Sequence, residues 1–178
     1  SDYSRTIAFP VEDPRVRWGS HGIAAAVQAL RDLFDVDNHK IAHTARMECE
    51  WTAVRINPRV LRSKKWRCTQ VQSYILDERV GAQSLEASCL LSFGLKLKEQ
   101  SKRRVLGGSQ QINTSSLETT NLAHILPYNA VDAKFTFLAD KVQTQKIEAD
   151  KLGGLPEACA LHQKRITTLV RAQVPGLL

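Results

Sequence analysis

No run of apolar residues in this 178-residue chain approaches the ~20 that a helix needs to cross a bilayer, so no helical membrane span is expected. The signatures of common chemistry are missing as well. There is no GxSxG nucleophile turn, no Walker loop, no GxGxxG, no HExxH, and no pair of carboxylates spaced for acid/base work. The four cysteines, Cys49, Cys68, Cys89 and Cys159, are 19, 21 and 70 residues apart. That spacing offers neither a CxxC metal knuckle nor the density of a disulfide scaffold, and reads as buried free thiols. The first residues, SDYSRTIAF, lack the basic and apolar regions of a secretory leader, which points to the cytoplasm or nucleus. No internal repeat is visible. These absences argue for a non-enzymatic protein with no cofactor and no bound metal.

What is present is charge, and it is unevenly placed. From Arg55 to Arg104 twelve Lys and Arg stand against four acidic residues, a local +8 in a chain whose total is +7. The first cluster is Arg55, Arg59, Arg62, Lys64, Lys65 and Arg67, with no acid among them. The second is Lys96, Lys98, Lys102, Arg103 and Arg104. A confined basic excess is an electrostatic footprint for a polyanion, because each cation facing a phosphate releases condensed counterions. Trp66, inside the first cluster, could stack on a base, but a core or edge-packing position is the stronger expectation.

Periodicity predicts the architecture. Residues 1–19, with Pro10, Pro14 and Gly19, read as an extended arm or short edge strand carrying Ile7, Phe9 and Val11. Ser20 is a candidate N-cap for a helix over 21–35, where Ile23, Val27, Leu30 and Phe34 share one face. Alternation then predicts strands at Met47–Ala53, closed by Asn57-Pro58, at Trp66–Leu76, and at Leu85–Leu97, where seven alternate positions put Leu91 at the middle of a buried face. A fourth strand is expected at Ala133–Leu138. The polar stretch 99–121 reads as a long mobile loop, and helical spacing resumes at Pro156.

The expected fold is therefore α+β: residues 20–178 form a single domain, an antiparallel sheet of about four strands with an N-terminal and a C-terminal helix packed on one face. In such a meander both basic clusters meet at one sheet edge. The element order is similar to that of rhabdovirus matrix proteins, in order alone and with no shared motif.

Two histidine readings complete the inventory. His39-x3-His43 would chelate zinc if it were helical, with Glu48 and Cys49 nearby, but it follows the expected helix end. His162 on an apolar face reads as a satisfied core histidine.

The function these features imply is nucleic-acid binding, RNA favoured, by a self-assembling structural protein such as a viral coat or nucleocapsid-like subunit, a homo-oligomer that could reside in a virion. One alternative is a viral matrix-type protein that binds acidic membrane and nucleocapsid through the same patch. A second is a small enzyme or ligand-binding fold with an apolar pocket.

Overall fold

The computed structural model describes residues 5–11, 13–63, 65–97 and 120–174. Among them the chain forms six α-helices, one 3-10 helix and two short strands: α1 Ser20–Asp35, β1 Lys40–Ala42, α2 Ala45–Arg55, the 3-10 helix Pro58–Arg62, β2 Trp66–Cys68, α3 Thr69–Leu76, α4 Leu85–Phe93, α5 Leu122–Glu148 and α6 Gly154–Gln173. The expected four-stranded antiparallel sheet is not there. β1 and β2 pair in parallel, with Lys40 opposite Trp66 and Ala42 opposite Cys68. A parallel pair needs a long crossover, and α2 with the 3-10 helix supplies it.

Each misplaced strand has a local cause. The Met47–Ala53 alternation is a helix, and its side chains at 45, 49, 52 and 53 are buried while Met47 and Trp51 are exposed. Leu85–Leu97 begins instead as α4. Ser84 accepts the Ala87 N–H at 3.1 Å as N-cap, and Gly94 ends the helix at φ +67°, a conformation that suits a residue without Cβ. The expected strand from Trp66 turns helical after three residues. The one foreseen at Ala133–Leu138 lies inside the 27-residue α5. The similarity of element order to matrix proteins falls with those strands.

The two terminal helices stand nearly where expected. α1 begins at Ser20, with Gly19 in the cap position. α6 begins two residues before Pro156, after Gly153 makes the turn at φ +78°. Asp150 receives the Leu152 and Leu155 N–H groups at 3.1 and 2.9 Å, and these donors hold its carboxyl below the usual range. In the arm no strand forms among the described residues. Trp18 turns back and donates its indole N–H to the Pro10 carbonyl at 3.0 Å. The loop expected at 99–121 falls outside the described residues except for its last two.

One apolar cluster gathers Ala45, Cys49 and Ala53 of α2, Val60 and Leu61 of the 3-10 helix, Trp66 and Cys68 of β2, and Ile166 and Val170 of α6. Trp66 is buried, stacks on Phe34 at 6.4 Å and donates to the Val60 carbonyl at 3.4 Å, so it is a core residue and not a base-stacking platform. A second layer is polar. α3 packs on α5 through Gln72, Ser73, Asp140 and Gln143, and Ser73 meets Ser88 of α4 at 2.7 Å. At the edge of β2, the Gln163 carboxamide of α6 accepts the Cys68 N–H at 2.8 Å and donates to the Cys68 carbonyl at 3.2 Å.

Candidate nucleic-acid interface

The helical fold distributes the first basic cluster over three elements. Arg55 ends α2, where a cation complements the helix dipole. Arg59 and Arg62 stand on the 3-10 helix, whose start is fixed by the Asn57 side chain accepting the Arg59 N–H at 3.0 Å. Both are exposed, and neither meets a carboxylate among the described residues. Lys65 is tied to Asp37 at 2.8 Å in a surface ion pair that lowers the Asp37 carboxyl.

Arg67 is removed from the surface set. Its guanidinium turns inward to Asp140 at 3.0 Å and also donates to the Thr144 hydroxyl. Of the second cluster, Lys96 is exposed beyond the end of α4. Lys64, Lys98, Lys102, Arg103 and Arg104 lie outside the described residues. The meander that was to join the two clusters does not exist, so that reason for placing them together is withdrawn.

What the structure adds to the Arg59 and Arg62 surface is α6, which packs on the 3-10 helix and donates from Arg171 to the Leu61 carbonyl. Between Ser63 and α6 lies a groove of about 330 Å³. Lys164, Arg171, Ser63, Thr167, Thr168 and Gln163 line it, Trp66 completes it, and no carboxylate takes part. Two cations and three hydroxyls form an anion-compatible lining, while the Gln163 amide is spent on the Cys68 backbone. Hydroxyls supply neutral hydrogen bonds to phosphate oxygens, and cations supply charge.

The α6 contribution went unnoticed in the sequence, yet a signal existed. No acidic residue follows Glu157, while Lys164, Arg165 and Arg171 do. A net-charge reading restricted to the strongest window passes over a shorter, cleaner one that the fold places beside it.

The remaining candidates are less suited to chemistry. His43 meets the Thr69 hydroxyl at 2.9 Å through Nδ1, and His39 and His43 flank an extended strand, not a helix turn. No cluster of three or more metal-ligating side chains forms among the described residues. His162 is half-buried on α6. All four cysteines are buried and free, and burial pushes the Cys49 thiol up to about 12 and raises Cys159. No described helix is long and apolar enough to cross a membrane. Comparison of the chain with protein-family models, curated proteins and solved structures gave no match.

Proposed function

We propose that the protein is a non-enzymatic, self-associating structural protein that binds nucleic acid, RNA in preference, through its phosphate backbone, in the manner of a coat or nucleocapsid-like subunit. The observation that carries this reading is the acid-free groove of Lys164, Arg171, Ser63, Thr167 and Thr168 beside the exposed Arg59 and Arg62, which meet no carboxylate among the described residues. Backbone contacts of this kind fix a polyanion without reading its sequence. Self-association is supported by Met47, Trp51 and Val54, which occupy i, i+4 and i+7 of α2 and are all exposed.

The test is filter binding of single-stranded RNA across a salt series. The parent protein should show affinity falling steeply with salt, with a log-log slope of about −0.7 for each phosphate neutralised. Arg62→Gln combined with Lys164→Gln should weaken binding at every sequence and make that slope shallower by about 1.4. An affinity indifferent to salt, or unchanged in the double variant, would remove the proposal.

A further inference from the structure

The two-stranded sheet is capped on one side and open on the other. Gln163 holds the outer edge of β2 at Cys68. On β1 the Lys40 N–H donates to the Lys65 carbonyl at 2.8 Å, so in this parallel register Lys40 and Ala42 turn their peptide groups towards β2 and Ile41 turns its N–H and C=O away. Neither group meets a partner among the described residues. The strand and its flanks, from Asn38 to Thr44, border a hollow of about 990 Å³ that is also lined by Leu33 and Phe34 of α1, Leu85 of α4 and Ala133 of α5. Most charged groups on this lining are already engaged. Lys40 donates to the Val36 and Asn38 carbonyls, and His43, Glu86 and Asp132 have partners in the protein, which leaves His39 and the exposed Glu48.

The N-terminal arm has the matching deficiency. Over residues 5–11 it forms no strand, and apart from the Pro10 carbonyl, which accepts from Trp18, its peptide groups make no hydrogen bond among the described residues. Its side chains alternate, with Arg5, Ile7 and Phe9 exposed and Thr6, Ala8 and Pro10 half-buried, so the large apolar pair faces away from its own protein. Ile7 is 82 % exposed. The arm of the same chain does not reach the hollow. Pro10 is pinned to Trp18, which packs against Gly22, and Phe34 lies about 18 Å further along α1, whereas an extended chain from Pro10 back to Ile7 covers only about 10 Å.

We infer that the hollow receives the arm of a second copy, with residues 5–9 extended beside β1 as a third strand. The Ile41 N–H and C=O pair with arm peptide groups on a strand about 4.8 Å away, and Ile7 and Phe9 are buried against Leu33, Phe34 and Leu85. Arg5, the one charge on residues 5–11, suits Glu48. Pro10 lacks an N–H and ends the pairing. The inference rests on the self-association in the proposed function, but on neither α2 nor the basic groove.

Disulfide capture between 178-residue chains tests it, because all four native cysteines are buried. Ile7→Cys is made on one chain and Leu33→Cys on another, and the two are mixed under mild oxidation. The mixed disulfide should form about tenfold or more faster than with Leu161→Cys, an exposed leucine of α6 outside the hollow. Adding Phe9→Asp to the arm chain should abolish that advantage, and so should adding Ile41→Pro to the Leu33→Cys chain, since proline deletes the outward N–H. Equal rates at positions 33 and 161, or an advantage that survives Phe9→Asp, would overturn the inference. If Ile41→Pro lowers the melting temperature, Phe9→Asp decides alone. Capture should persist with Trp51→Glu in both chains, and its loss there would assign the contact to α2 instead. Capture without RNA binding keeps the arm contact and removes the RNA reading, and RNA binding without capture does the reverse.

Discussion

Arg67 sits in β2 between Trp66 and Cys68, and its guanidinium is the counter-charge of a carboxylate that is only 3 % exposed. Burial raises the Asp140 carboxyl, while Arg67 and a 3.1 Å hydrogen bond from Gln72 oppose that rise. Removing one partner of a buried pair strands the other, at a cost of about 3–5 kcal/mol. Arg67→Met should therefore destabilise the protein strongly, and the loss should depend on pH. A carboxyl whose folded-state value lies above its unfolded value contributes fully below the ordinary carboxylate range, and the contribution is lost as pH rises through the raised value. Without Arg67 that value moves further up. Urea unfolding should then show a larger deficit at pH 8 than at pH 5, and a deficit that grows towards acid would refute the buried-pair reading. The exposed pairs behave oppositely. Arg15 and Arg79 hold Asp13 and Asp77 down to about 2, each by the same fork two residues along, and those contributions fade only as pH falls from about 4 towards 2.

At the scale of the element, the mistaken strands share one property: their helices bury mainly small or polar side chains. α2 buries Ala45, Cys49, Thr52 and Ala53; α3 buries Thr69, Gln72 and Ser73; α5 buries Thr136, Ala139, Asp140, Gln143 and Ile147. The 3.6-residue period is present at those positions, but a hydrophobicity pattern does not register it, and the larger apolar residues between them alternate by chance. α4 gives the direct check. Leu85 is buried at its first turn, whereas Leu91 is 59 % exposed. Leu85→Ala should cost about 2–5 kcal/mol and Leu91→Ala no more than about 0.5. The reverse order in thermal melts would restore the strand. Where the inward face was apolar, as in α1 with half-buried Val27, Leu30 and Phe34 or α6 with buried Cys159, Ile166 and Val170, the element was legible, although Ile23 is exposed and Gly19, not Ser20, is the cap. Of the candidate interface, the charge was legible and its geometry was not. Arg67 turned inward because its partner lies 73 positions away, and Lys164 and Arg171 joined Arg62 only through the packing of α6 on the 3-10 helix.

Across the whole molecule, the basic groove and the exposed α2 stripe are separate requirements for a coat-like subunit, and they can be uncoupled. Trp51→Glu places a charge in the middle of the stripe, at a position 49 % exposed, so the monomer's own stability should change little. Sedimentation velocity should shift towards a smaller species while RNA affinity per chain at low protein concentration is retained. An unchanged distribution would show that α2 is not the contact. The Gln163 carboxamide bears on assembly from another direction. A two-stranded parallel sheet ordinarily leaves open edges, and an open edge is a template on which another chain can add a strand. At Cys68 that template is already occupied, since one side-chain amide supplies both the acceptor and the donor that a neighbouring peptide group would bring. The helix that lines the basic groove thus also caps the outer edge of β2 at Cys68, and contact between copies of this chain at that edge must come through side-chain surfaces, not by joining backbone to backbone into a growing ribbon.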